Sequence, residues 1–114
     1  MHELSLVREL VETLAKRART SGAMRITNVQ MEMNPLSGFD ADDVEFSFDL
    51  VKKEDPMMSE AKLTLNVWDS LARCGDCGEE FVVEELPALC RKCGSINLAP
   101  VHPTGLILKG YETE

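Results

Sequence analysis

All four cysteines of this 114-residue chain fall in two Cys-x-x-Cys pairs, Cys74-Gly75-Asp76-Cys77 and Cys90-Arg91-Lys92-Cys93. A gap of two residues lets both sulfurs of a pair reach one ion. Gly78 and Gly94 follow the pairs. They let the chain turn tightly past a metal and leave backbone N–H groups available to the thiolates. Twelve residues separate Cys77 from Cys90, ample for a β-hairpin. Four thiolates in a tetrahedron suit Zn²⁺, with a single rubredoxin-like iron as the alternative. A closed four-sulfur shell has no open coordination position, so the zinc is expected to be structural rather than catalytic. Two separate redox dithiols fit less well, because a thioredoxin-like motif needs only one pair beside a βαβ unit.

A second candidate lies at the other end of the chain, in Met1-His2-Glu3. Taken by residue type alone, a terminal histidine is ordinarily solvated. Glu3 likewise has an ordinary role, as an acid in the first turn of a helix. Position alters the chemistry of His2. The α-amine of Met1, the backbone nitrogen of His2 and its Nδ1 can close two adjacent chelate rings around one ion. Three strong-field nitrogens in one plane favour square-planar Ni²⁺ or Cu²⁺ over tetrahedral Zn²⁺. For the fourth position, Glu3 offers a backbone nitrogen or a carboxylate. His102, the only other histidine, is a further candidate, although a solvated loop histidine before Pro103 is its default reading. This site requires Met1 to be retained and unblocked.

The surrounding elements follow from hydrophobic spacing. Val7, Leu10, Val11, Leu14 and Ala18 mark one face of a helix that begins near Glu3 or Leu4 and ends at Ser21-Gly22. Alternation over Thr27–Met33, with Val29, Met31 and Met33 on one side, predicts a strand. Asn34-Pro35 and Ser37-Gly38 break the chain. A second helix is expected from about Ala41 to Lys53, N-capped by Asp40 and with Asp42 and Asp43 in its first turn. Its stripe is Val44, Ser47, Phe48 and Val51, widened by Phe46 and Leu50, with Lys52 and Lys53 at its C-terminal end. Asp55-Pro56 stops it. Lys62–Val67 alternates as a second strand, Phe81-Val82-Val83 reads as a short hairpin strand, and Gly105–Tyr111 as a last strand.

These elements predict an α+β fold: two helices packed on a three-stranded sheet, with an inserted four-cysteine zinc-ribbon-like module. Residues 1–70 are expected to form an α/β domain that carries the N-terminal chelate site and is completed by residues 100–114, whose last strand rejoins the same sheet, and residues 71–99 are expected to form the zinc module.

Composition narrows the function. Twelve Lys and Arg against 20 Asp and Glu give a net charge of −8, and four thiolates with one dication take it to about −10. A nucleic-acid surface normally needs a basic stripe, and only Arg91-Lys92 is clustered. A zinc-ribbon nucleic-acid or protein interaction module is the competing reading that the cysteines alone would allow. There is no long apolar run and no apolar leader with basic flanks, which predicts a cytoplasmic protein with no membrane association. No Ser-His-Asp set, phosphate-binding Gly loop or third metal-ligand cluster points to an enzyme.

The start Met1-His2-Glu3-Leu4-Ser5-Leu6, the segment Pro35-Leu36-Ser37-Gly38 and the paired cysteines ending Cys93-Gly94-Ser95 resemble the HypA/HybF hydrogenase nickel-incorporation proteins. The likeness runs in the same order over nearly the whole chain. It departs at Asn34-Pro35, where many members have Gly, and at Cys90-Arg91, where many have Cys-Pro; neither departure touches a ligand. The resemblance implies a metallochaperone that carries Ni(II) as transferable cargo to [NiFe]-hydrogenase, and in some organisms to urease. It implies nickel at His2 with Met1 and Glu3 beside it, and structural Zn(II) at Cys74, Cys77, Cys90 and Cys93. It further implies a nickel-handling GTPase of the HypB type and the hydrogenase large subunit as partners, and it permits a homodimer.

Overall fold

A computed structural model describes residues 2–85 and 87–114. Among them are two α-helices and six strands, arranged as two separate three-stranded sheets.

The first helix, α1 (His2–Thr20), buries Val7, Val11, Leu14, Ala15 and Ala18 along one stripe. It ends where Gly22 takes a φ of 85°, a left-handed conformation that glycine adopts without steric cost. Strand β1 (Ile26–Met33) follows and turns Val29, Met31 and Met33 inward. The second helix, α2 (Ala41–Val51), is N-capped by Asp40, whose carboxylate accepts from the Asp42 N–H at 2.8 Å. It connects β1 to β2 (Lys62–Val67), which lies parallel to β1 with Asn28 opposite Lys62 and Met33 opposite Val67. A parallel pair needs such a crossover. The last strand of the chain, β6 (Leu106–Thr113), returns antiparallel to the other side of β1. Strand β6 thus joins the sheet of β1 and β2, in the order β2-β1-β6.

Both helices cover the face of this sheet that carries the odd-numbered residues of β1. Val44, Phe48 and Val51 of α2 meet Val7, Val11 and Leu14 of α1 above Val29, Met31 and Met33 in one core cluster. The opposite face is polar. Asn28 donates to the Thr64 hydroxyl at 3.1 Å, Asn66 donates to Glu32 at 3.3 Å, and Lys109 pairs with Glu32 at 3.2 Å.

Two expectations for α2 need correction. Phe46 and Leu50 do not widen the buried stripe; they are 59% and 42% exposed. A helix packed on one neighbour and one sheet buries a stripe of only roughly 100°, and these side chains fall outside it. The helix also ends at Val51, and Lys52 and Lys53 lie in a 3-10 turn, Lys52–Glu54. The N–H of Asp55 closes that turn on the Lys52 carbonyl.

The second sheet comprises β3 (Leu71–Cys74), β4 (Glu80–Val82) and β5 (Leu98–Pro100), with β3 in the middle and both neighbours antiparallel to it. The molecule is elongated, 55 × 24 × 16 Å. Two segments cross between the sheets, and they are tied together. The Trp68 and His102 rings stack at 4.6 Å and 22°. The fully buried Asn34 receives the Leu36 N–H on its side-chain oxygen and donates its amide to the His102 carbonyl at 3.3 Å. Ser37 accepts from the Gly105 N–H.

Candidate metal centre

The two cysteine pairs fold as near copies of one another. The Cys74 N–H donates to the Glu79 carbonyl and the Cys90 N–H to the Ser95 carbonyl, both at 2.9 Å. The N–H of Gly78 returns to the Cys74 carbonyl at 2.9 Å, and that of Gly94 to the Cys90 carbonyl at 2.8 Å. Gly78 and Gly94 have φ of 79° and 76°, so each closing turn uses the left-handed region that a β-carbon would oppose. The glycines after the pairs are therefore required by the turn itself.

These turns bring the sulfurs together. All four lie within 4.8 Å of one another. Cys74 and Cys93 are 3.6 Å apart, and Cys77 and Cys90 are 3.5 Å apart. A tetrahedron with zinc–sulfur bonds of about 2.3 Å has edges of about 3.8 Å. The donor set and its spacing therefore fit a tetrahedral thiolate-bound ion. Cys74 and Cys90 are buried and Cys93 is exposed. The buried sulfurs receive backbone hydrogen bonds at 3.4 Å: Cys74 from the Asp76 N–H, and Cys90 from the N–H groups of Lys92 and Cys93.

Those amides favour the charged sulfur. The Cys93 N–H, aided by that of Lys92, pulls the Cys90 thiol down to about 6. The Cys77 N–H does the same for Cys74, which is lowered. At Cys93 the Ser95 N–H also pulls down, but desolvation and the neighbouring sulfurs of Cys74, Cys90 and Cys77 outweigh it and push this thiol up to about 12. Cys77 is raised as well: the Glu79 N–H acts against desolvation and the sulfurs of Cys90 and Cys74, and the latter prevail. Four like charges packed this closely repel, and a central dication relieves that repulsion.

A tie between the knuckles was not evident in the sequence. Asp76, inside the first pair, accepts from the Ser95 hydroxyl and, at 3.5 Å, from the Asn97 amide. The Asn97 carbonyl in turn accepts from the Gly75 N–H at 2.8 Å. A β-carbon on Gly75 would lie 2.5 Å from the Asn97 amide nitrogen. The available signal was a carboxylate within one knuckle and a hydroxyl just beyond the other. Arg91 closes the flank: it pairs with Glu79 at 3.2 Å and its guanidinium lies 5.8 Å from the centre of the Phe81 ring.

The N-terminal residues are placed only in part. Met1 and the His2 side chain lie outside the described residues, and His2 is described as the first residue of α1. Nineteen helical residues span about 28 Å and the eight of β1 about 26 Å. The short connection between them, residues 21–25, makes the two run antiparallel. The first turn of α1 therefore points to the same end of the sheet as Met33, where the crossing segments leave. Glu3 is half-buried in that turn. His102 is half-buried against Trp68.

The structure thus joins an α/β body to a knuckle module whose four clustered cysteine sulfurs could hold a metal ion. The chain belongs to the HypA family of hydrogenase/urease nickel-incorporation metallochaperones, whose model matches residues 1–113. It is 35% identical over its whole length to the hydrogenase maturation factor HypA of Moorella thermoacetica, also covered in full. It is 33% identical to that of Aquifex aeolicus, covering all of this chain and 98% of the relative. The hydrogenase maturation factor HybF of Proteus vulgaris is 31% identical over the full length of both. The solution structure of the nickel metallochaperone HypA from Helicobacter pylori shares the fold, with a TM-score of 0.65, 23% identity, and coverage of 97% of this chain and 96% of that one. A second HypA solution structure matches at a TM-score of 0.69 and 24% identity over all of this chain and 97% of that one.

Proposed function

We propose that this chain binds Ni(II) at its N-terminus and delivers it during maturation of [NiFe]-hydrogenase, or of urease, while Zn(II) at Cys74, Cys77, Cys90 and Cys93 holds the second module together. The observation that carries this reading is the family match running from residue 1 through both cysteine pairs. His2 supplies the imidazole, with Met1 and Glu3 contributing backbone nitrogens or a supporting carboxylate. A surface site on the first turn of a helix suits a carrier, because few groups need to rearrange when cargo leaves. His102 serves the junction through its stack on Trp68 rather than the nickel.

The remaining assignments follow from that role. The chain acts by binding and transfer and not as an enzyme. Its partners are a HypB-type GTPase and the hydrogenase large subunit, with a homodimer as one assembly state, and its place is the cytoplasm. Among the described residues no helix is long and apolar enough to cross a membrane. Residues 71–99 act as a unit separate from the α/β domain of residues 1–70 and 100–114. At that boundary Pro100 pairs with Ala72 as the last residue of β5.

Nickel titration of the zinc-loaded, untagged chain tests the reading. One equivalent of Ni²⁺ binds, His2→Ala abolishes binding, and both fold and zinc content persist. Unchanged nickel affinity in His2→Ala would refute the site. Acetylation of the Met1 amine tests that ligand separately, since it blocks the α-amine and leaves the imidazole in place.

A further inference from the structure

The sheet edges of this molecule are not equivalent. An edge strand presents unpaired N–H and C=O groups, and proteins guard such edges with lysine, proline or a covering element. In the first sheet, β2 carries Lys62 and β6 carries Lys109. In the second, β5 ends in Pro100. Strand β4 carries neither lysine nor proline.

Its hydrogen bonding leaves the outer side free. The Cys74 N–H reaches the Glu79 carbonyl and the Val83 N–H reaches the Ser70 carbonyl, each at 2.9 Å. With Ala72 opposite Phe81, residues 79, 81 and 83 therefore face β3. In an antiparallel ladder the alternate residues turn the other way. Glu80 and Val82 thus aim their backbone groups outward, and among the described residues nothing pairs with them.

A cleft of about 380 Å³ runs along this strand, with Val82, Val83, Ala88 and Leu89 in its wall. Val82 is 54% exposed and Leu89 58%. Glu84 and Glu85 line the same cleft. Both are exposed, and neither has an ion-pair partner among the described residues, whereas Glu79 and Glu80 are matched by Arg91 and Arg73.

We propose that the open edge of β4 and the cleft beside it receive an extended segment of a partner protein, one that alternates apolar side chains with Lys or Arg. The segment adds a fourth strand about 4.8 Å outside β4. The Val82 N–H donates to its carbonyl and the Val82 carbonyl accepts from its amide. Its apolar side chains cover Val82 and Leu89, and its cations reach Glu84 and Glu85. An acidic segment would meet repulsion from the same carboxylates. This surface does not depend on the nickel site. It requires only the folded cysteine module, so zinc content measured on the same sample separates its failure from a failure of the zinc reading.

The test uses the full, zinc-loaded chain and a fluorescein-labelled peptide of about seven residues alternating Lys and Val. Fluorescence anisotropy should show saturable binding that weakens as salt is raised, and amide exchange at Val82 should slow. Val82→Pro removes a donor with no acceptor among the described residues, so zinc content and melting should hold while affinity falls about tenfold or more. If Val82→Pro loses its zinc, the double variant Glu84→Gln with Glu85→Gln decides, and it should weaken binding and flatten the salt dependence. The proposal is overturned by undiminished binding in the folded Val82→Pro protein, or by undiminished binding in the double variant. Equal binding of a Glu–Val peptide, or no binding at millimolar peptide, also overturns it. Sedimentation showing that β4 is occupied by a second copy of the chain would assign the edge to self-association instead.

Discussion

The two sheets are held together by different means. Sheet β2-β1-β6 sits under a cluster of 15 buried residues drawn from both helices, the central strand and the connection before β2. Among the described residues, the buried cluster of sheet β4-β3-β5 contains Cys74, Phe81 and Cys90, with Val83 and Leu98 partly buried against it. Burial of apolar surface stabilises the first. In the second, two of the three residues of that cluster are ligand candidates, so much of what should be core is the candidate metal site. A unit of this size rarely folds on apolar burial alone. The comparison teaches that the cysteines replace a core here, and that the two units should fail independently and for different reasons.

The largest effect should come from Cys74→Ser. Structural zinc binding contributes on the order of 10 kcal/mol to folding in small zinc domains, so this variant should lose zinc and the ordered amide signals of residues 71–99. The signals of α1, α2 and β1 should remain. Metal analysis and a two-dimensional amide spectrum check both halves, and global loss of dispersion would break the comparison. Next in size is Phe48→Ala. Phe48 is 1% exposed at the centre of the first cluster, and a large-to-small change of this kind costs about 3–5 kcal/mol. The melting temperature of the body should drop while zinc stoichiometry holds; zinc lost in parallel would mean that the module borrows stability from the body.

The smallest effect concerns acid. Arg8 hydrogen-bonds Glu54 and Arg19 hydrogen-bonds Asp55, and both carboxyls are held below their ordinary values of 4.5 and 3.8. A depressed carboxyl stabilises the fold fully above its unfolded pKa, and that contribution disappears as pH falls through the folded value. Denaturant midpoints should therefore be flat near neutrality and decline below about pH 4. Glu54→Gln should remove only a small part of the decline, because exposed pairs contribute little. A large loss in Glu54→Gln at neutral pH would show the pair to matter more than its exposure suggests.

The first sheet was legible in the sequence because its elements are long enough to show a period. Val7, Val11, Leu14 and Ala18 repeat over about three helical turns, and Val29, Met31 and Met33 alternate over most of an eight-residue strand. The second sheet was legible only through its cysteines. Strands β3 and β5, of four and three residues, are too short for alternation to register, and neither Leu71–Cys74 nor Leu98–Pro100 was anticipated. Asp76, Ser95 and Asn97 stayed hidden for a related reason: they meet only after the metal knuckles have brought residues nearly twenty positions apart into contact. The overestimate at Phe46 and Leu50 has the opposite origin. Helical periodicity marked them as apolar, but only packing decides how wide a stripe the neighbours cover.

The Trp68–His102 stack has a practical consequence. Trp68 is the only tryptophan in the chain, and it sits where the two crossing segments touch. Its emission therefore arises at the end of the first sheet from which the two segments cross to the second. Tryptophan emission from this protein is therefore placed to report on how the halves are joined. A metal added at either end becomes visible to that signal only when its binding is felt at the joint.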